Sequence, residues 1–316
     1  MTAPVLVTGA AGFVGSHLLQ ALEHERVPIV AWRRPGQVAE QAGNGVRWMD
    51  VELLDREQVR DAIAAVKPAA VYHMAGAAHL AQSWQHVRET YEGNVRVTHY
   101  LLDAVAELPE KPRVLLPCTA HVYEPQPRPI REDDPLKPNN PYATSKLAVE
   151  MRGEKAWTDD EVPTIIARAF NHIGPRQDPS YVAPGIARQI ALIELGRHDP
   201  VLTMGSLTPM RDVTDVRDTV RAYLALMAVG RPGVRYNVAS GRALAIGDLV
   251  HAFTAAARRD VRVVEDPARF RPNDPPLLVG DNARLVAETG WQPQIPLEKT
   301  VVDLLDYWRE RVKAEA

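Results

Sequence analysis

Tyr142 and Lys146 stand four residues apart in the segment Asn140-Pro141-Tyr142-Ala143-Thr144-Ser145-Lys146. On a helix this spacing stacks the two side chains on one face. An ammonium so placed is expected to lower the pKa of the phenol, making Tyr142 an acid or base of use near neutral pH. A second segment, Thr8-Gly9-Ala10-Ala11-Gly12-Phe13-Val14-Gly15, follows an apolar run and opens a helical pattern. Glycines in that setting permit a tight turn, close approach of backbone to a pyrophosphate and close packing of helix on strand, while the helix N-terminus faces the phosphates. Gly9, Gly12, Phe13, Val14 and Gly15 are therefore expected to hold a dinucleotide. The spacing is GxxGxxG rather than the more general GxGxxG.

The next strand ends in Trp32-Arg33-Arg34-Pro35. A site for NAD would carry a carboxylate there to hold the ribose 2′-hydroxyl. Two guanidiniums instead suit a 2′-phosphate, so NADP is favoured and NAD remains possible. The competing reading of Arg33 and Arg34 is a solvated basic turn. Asp50 and Val51, after the third strand, are placed to meet the adenine, although Asp50 serves equally as a helix cap. Ala75, Gly76 and Ala77, after the fourth strand, would let backbone approach the cofactor.

These residues need elements to position them. Short apolar runs at Val5–Thr8, Pro28–Trp32, Val46–Asp50, Ala69–His73, Arg113–Cys118 and Pro163–Ala169 predict strands. Between them, helical periodicity runs over Phe13–His24, Arg56–Val66, Val87–Glu107 and Tyr142–Trp157. The alternation predicts an α/β protein, a doubly wound parallel Rossmann sheet whose ligands lie beyond the carboxyl ends of its strands. Residues 171–184 read as a loop. Helices are expected at Gly185–Leu195, Val213–Val229, Ile246–Ala257, Asn282–Thr289 and Leu297–Arg311, with strands near Arg235–Val238 and Val261–Val264. Residues 1–170 would form the dinucleotide domain, with a strand and helix returning to it from about 213–240. Residues 171–316 would form mainly a smaller mixed α/β substrate domain.

The 316 residues are 46% hydrophobic and 24% charged, the balance of an ordinary globular protein. A formal charge of -3 offers no electrostatic attraction to nucleic acid or an anionic membrane. No apolar run is long enough to span a bilayer. A strand starting so near Met1 leads us to expect no signal peptide. The single cysteine, Cys118, excludes an internal disulfide and fits a reducing compartment, so a cytoplasmic protein is expected.

The blocks TGAAGFVGSHL, VYHMAGAA, NPYATSKLAVE, RAFNHIGPRQ, RDVTDVRDTV and GWQPQIPLEKTV together resemble the extended short-chain dehydrogenases/reductases, in the epimerase/dehydratase branch that modifies nucleotide sugars. The resemblance covers nearly the whole chain. It implies that Tyr142 donates or accepts the proton, that Lys146 holds the nicotinamide ribose, and that Thr119 hydrogen-bonds the reacting oxygen. It also places Asn94 in the cofactor site, and implies a homodimer packed through a four-helix bundle of Val87–Glu107 and Tyr142–Trp157. No metal is called for.

Within the branch, the segments 168–175 and 180–190 are most similar to GDP-4-keto-6-deoxy-D-mannose reductases. That likeness implies that His121, Asn171, Arg188, Arg211 and Arg271 meet a nucleotide-diphosphate sugar. Arg211 and Arg271 can clamp a diphosphate; the alternative for each is solvation or an ion pair with Asp212 or Asp274. Departures matter too. GDP-mannose dehydratases carry a glutamate where His121 stands, which demotes 4,6-dehydration. GDP-fucose synthases need a cysteine and a histidine where this chain has His121 and Tyr181. The expected activity is thus NADP-dependent reduction of a nucleotide-linked 4-keto-6-deoxy sugar, of the GDP-4-keto-6-deoxymannose to GDP-rhamnose type. An NAD-retaining nucleotide-sugar 4-epimerase is the alternative, and a non-catalytic dinucleotide sensor the reading from another class.

Overall fold

The computed structural model describes residues 3–25, 27–38, 45–270 and 274–315. Its strands are β1 (Val5–Thr8), β2 (Ile29–Arg33), β3 (Val46–Asp50), β4 (Ala70–His73), β5 (Arg113–Thr119) and β6 (Thr164–Ala169), then the short β7 (Asn171–Ile173), β8 (Val201–Met204), β9 (Met210–Arg211) and β10 (Val213–Asp215), followed by β11 (Arg235–Val238), β12 (Leu244–Ala245), β13 (Arg262–Glu265) and β14 (Leu277–Leu278). Seven of them form one parallel sheet in the order β11-β6-β5-β4-β1-β2-β3. The chain winds one way from β1 to β3 and the other way from β4 to β6. The order therefore reverses between β1 and β4, and a crevice opens at their carboxyl ends, where such sheets bind ligands.

Successive strand residues point to opposite faces, so a sheet covered on both sides needs continuous apolar runs. Leu6 and Leu116 pack with Ile63, Leu101 and Val149 beneath the helices α2 (Arg56–Val66), α4 (Val97–Ala106) and α5 (Pro141–Asp160). Their neighbours Val7 and Leu115 pack with Leu18, Tyr223 and Leu226 under α1 (Phe13–His24) and α7 (Val216–Val229). A separate core joins α6 (Val182–Glu194), α8 (Ile246–Ala255) and α10 (Leu297–Ala314) through Ile186, Ile190, Phe253 and Leu304. Two short helices complete the set, α3 (Val87–Tyr91) and α9 (Ala283–Thr289).

Several expectations need correction. The helix predicted over Val87–Glu107 is α3 and α4 joined by a π-helical turn at Glu92–Arg96, which carries the buried Asn94. The helix predicted from Val213 starts three residues later. Val213–Asp215 is instead a strand paired with Asn171–Ile173, and Asp215 caps α7 by accepting from the Arg217 amide at 2.7 Å. That pairing also puts a strand inside the stretch read as a loop. The strands β8, β9, β12 and β14 were not anticipated; the last three have two residues each, too few to display any pattern. Arg235–Val238 joins the main sheet beside β6.

Candidate active site

The glycine turn is shaped by contact. Gly9 adopts φ +61°, and a Cβ there would lie 2.6 Å from the Ala75 amide nitrogen, so the β1 and β4 loops meet at a point only glycine fits. A Cβ on Gly15 would collide with the Gly9 carbonyl, which keeps α1 tight against the turn. Gly12 is the N-cap of α1 and supplies no side-chain cap, nor does the first turn hold an acid. The backbone N–H groups of that turn are thus presented to whatever lies in front of them, a good seat for a pyrophosphate. Phe13 stacks on His172 at 5.9 Å, while Val14 packs into the core of the α1 face. A cavity of about 320 Å³ opens beside the turn, walled by Ala10, Gly12, Phe13, Arg176 and, from α10, Tyr307 and Arg311. The last three were not singled out from sequence. Arg311 comes from the far end of the chain, so no local signal could place it there.

Arg33 closes β2 and pairs through Nε with Asp50 Oδ1 on β3 at 2.6 Å, with its guanidinium 5.7 Å from the Trp48 ring centroid. Arg34 is exposed. Asp50 is therefore the partner of Arg33 and not the cap of α2, a role taken by Asp55, which accepts from the Gln58 amide. Val51 is buried and donates its amide to the Arg33 carbonyl at 3.0 Å.

Asn94 is a brace between loops. From the π-helical turn its Oδ1 accepts from the Ala77 amide at 2.8 Å, while Nδ2 donates to the Ala77 carbonyl at 3.0 Å and to Ser145 Oγ at 2.9 Å. It thereby ties the Gly76-Ala77 segment after β4 to the helix carrying Tyr142 and Lys146. A π-helical turn re-aims one side chain out of a helical ladder and recurs at functional sites.

The helix α5 begins at Asn140, whose Oδ1 accepts from the Ala143 amide at 2.8 Å, with Pro141 at the first helical position. This start fixes Tyr142 in the first turn, beside the end of β5. The Tyr142 hydroxyl hydrogen-bonds Thr119, and Thr119 Oγ1 accepts from the His121 amide at 3.3 Å. Lys146 Nζ donates to the Pro117 carbonyl at 3.0 Å and lies 3.5 Å from where a Cβ on Gly76 would be. Thr119, Tyr142, Lys146 and the Gly76 turn thus meet above β4 and β5.

One electrostatic expectation is overturned. Burial pushes the Tyr142 phenol above its ordinary value; the Thr119 hydrogen bond works against this without prevailing. Burial also pulls the Lys146 ammonium down, opposed by Cys118 and Glu150. Desolvation sets the direction of both shifts. The phenol is consequently a protonated donor at neutral pH. Cys118 is buried and its thiol is pushed up by burial, the state of a packing residue and not of a nucleophile.

The remaining candidates divide. Asn171 is on β7, directly after the sheet, and pairs with Val213. Arg211 is largely buried, bonded to Asp274 at 2.6 Å and to the Met210 and Pro275 carbonyls. The ion-pair alternative for that residue is realised. Arg188 pairs with Glu315 at 3.1 Å and lies over the Trp308 ring, held by α10 and not grouped with Thr119 and Tyr142. Arg271 lies outside the described residues. A residue with no assigned role, Tyr181, does reach the site. Its hydroxyl donates to the Ala78 carbonyl at 3.0 Å, its ring packs on His79 at 4.6 Å, and its proximity helps raise the Tyr142 phenol.

Comparison with known proteins agrees with this geometry. GDP-6-deoxy-D-mannose reductase of Pseudomonas aeruginosa is 32% identical over the full length of both chains. UDP-glucose 4-epimerase of Bacillus subtilis is 28% identical over 95% of each. The structure of RMD from Pseudomonas aeruginosa complexed with NADPH superposes with a TM-score of 0.87 at 31% identity, covering 98% of this chain and 100% of that one. A family profile described as GDP-mannose 4,6 dehydratase matches residues 6–304, and the chain belongs to that family, within the extended short-chain dehydrogenases/reductases.

Proposed function

We propose that this protein is an NADPH-dependent reductase of a nucleotide-linked 4-keto-6-deoxy sugar, with GDP-4-keto-6-deoxymannose the favoured substrate and a GDP-rhamnose-type product. When bound, the reduced nicotinamide supplies a hydride to the keto carbon. Tyr142 gives its proton to the alkoxide oxygen, Thr119 hydrogen-bonds that oxygen, and Lys146 holds the ribose and restores charge balance as the phenol empties. The observation that carries this reading is the place of the phenol, in the first turn of α5 beside Thr119 and one turn from Lys146, because a reductase needs a proton donor at that point. Arg33 and Arg34 favour a 2′-phosphate. The likeness to the Pseudomonas reductase and to the NADPH-bound structure supports substrate and cofactor alike.

A 4-epimerase is the second reading. It is favoured by Asp50, which brings a carboxylate to the β2–β3 edge, and by the likeness to the Bacillus enzyme. His121, standing where the dehydratases carry a glutamate, argues against 4,6-dehydration. A panel of GDP-, UDP- and dTDP-linked 4-keto-6-deoxy sugars with NADPH separates the two. One NADPH consumed per GDP sugar is expected. Interconversion of 4-hydroxy sugars without cofactor loss would replace the reductase by the epimerase.

The division into a dinucleotide domain over residues 1–170 and a mainly substrate-binding portion over 171–316 belongs to the same proposal, as does a cytoplasmic setting. So does a homodimer through a four-helix bundle. It is supported by exposed Val87, Tyr91 and Met151 on α3 and α5, with Trp84 just before them. Among the described residues no helix is long and apolar enough to cross a membrane.

A further inference from the structure

Beneath the reactive face of α5 lies a charged pair with no part in the chemistry above. Glu150 sits one turn beyond Lys146 and has no solvent exposure; Arg168, on β6, is 1% exposed. Arg168 Nε donates to the two carboxylate oxygens of Glu150 at 3.0 and 3.1 Å, and Nη2 donates to Oε2 at 2.7 Å. Its Nη1 donates to the Glu132 carbonyl at 2.9 Å, and its guanidinium lies 4.7 Å from the Tyr123 ring centroid. Tyr123 Oη in turn donates to Asn237 Oδ1 at 2.7 Å, and the Asn237 amide to Glu132 Oε1 at 2.9 Å. One ion pair therefore joins the Tyr142–Lys146 helix to β6, to β11 and to the segment that follows Thr119.

Adhesion of α5 to the sheet does not require these charges, since Val149 and Ala156 already pack into the core beneath it. Apolar residues of similar volume often replace a buried pair without loss. What they cannot supply is a negative charge close to Lys146. The ionisable groups that bear on Lys146 are His73 from β4, Cys118 from β5 and Glu150 from its own helix. His73 is held neutral by burial, and the Cys118 thiol and Tyr142 phenol are held protonated by it. Glu150 is the acid placed to offset Lys146; the Arg168 fork fixes where that acid stands, and Arg235 Nε from β11 lies 3.5 Å from its Oε2.

We propose that Glu150 is a positioning residue for proton transfer: clamped by Arg168, it orients α5 and sets a countercharge one turn beneath Lys146. The role of Lys146 rests on the reductase reading, whereas the countercharge can be tested without sugar or cofactor.

The test follows Lys146 by carbon-13 NMR in protein labelled at the lysine side-chain carbons, with Lys146→Met assigning the resonance. Glu150→Gln is expected to lower the Lys146 titration by about one pH unit or more. The basic limb of the kcat profile should move the same way, with KM for the sugar little changed. If Glu150→Gln does not fold, the double variant Glu150→Gln/Arg168→Gln leaves no buried charge unpaired and should still lower the titration, by less. An unchanged Lys146 titration in either folded variant overturns the proposal. A shifted titration in a protein whose wild type reduces no keto sugar would sink the reductase reading alone.

Discussion

The Arg33 guanidinium on β2 and the Asp50 carboxylate on β3 meet at 2.6 Å, both partly open to solvent. An exposed pair of this kind adds little to stability. Its effect is orientation: Asp50 holds one edge of Arg33 at the strand end, where a cofactor's adenosine ribose would lie.

Arg33→Ala should therefore weaken NADPH binding about tenfold, roughly the worth of one charge-assisted hydrogen bond, while NADH binding and the melting temperature barely move. Titration of nicotinamide fluorescence with both cofactors checks this. Equal losses for the two would remove Arg33 from the 2′-phosphate site.

Tyr142→Phe keeps the ring and deletes the proton. Turnover should fall by roughly a hundred- to ten-thousandfold, the usual worth of a placed general acid. Cofactor affinity should hold, since the glycine turn and Lys146 are untouched. Single-turnover kinetics separates this outcome from a defect in binding.

Asn94→Ala removes three hydrogen bonds at once and strands the Ala77 amide and carbonyl. Ala77 is only half-buried, so the two stranded groups together should cost about 1–3 kcal/mol, the worth of one such group in full burial. Urea denaturation should show a loss within that range, accompanied by lower turnover as the Gly76 loop loosens against α5. A wild-type midpoint would mean that water replaces the amide.

Acid should destabilise the protein through two buried histidines. Burial lowers His17 from 6.5 to about 4, with Arg176 adding to the effect, and lowers His73 to about 3, with Lys146 adding there. Above pH 6.5 both are neutral in the folded and unfolded chains. Below it the unfolded chain takes up protons that the folded one refuses, so stability falls as pH drops from 6.5 toward 4, and further for His73. His17 alone accounts for a loss on the order of 3 kcal/mol across its window. Denaturation midpoints at pH 7 and 4.5 check this, and His17→Gln should flatten the difference.

Glu150 and Arg168 show where reading of residues alone stopped. Both lie inside segments recognised as helix and strand, yet nothing in either segment says that they pair across the sheet. The same holds for Arg176, Tyr307 and Arg311 around the glycine turn, and for Tyr181 beside Tyr142. Tyr142 and Lys146 were legible because one helical turn relates them; the glycine turn was legible because strand, bend and helix are contiguous. The direction of the Tyr142 shift was misread, since spacing reveals the neighbouring cation but not how far the phenol is withdrawn from water.

The chain by itself determined the alternation of strand and helix, and through it the parallel sheet, and it nominated Tyr142 and Lys146 for the chemistry, because each is read from a pattern within a few turns of backbone. Only the tertiary structure decided which arginines were already engaged, that Asn94 sits on a π-helical turn, and that desolvation governs the proton on Tyr142. Those outcomes depend on groups far apart in sequence that share one low-dielectric interior, and no local pattern encodes that proximity.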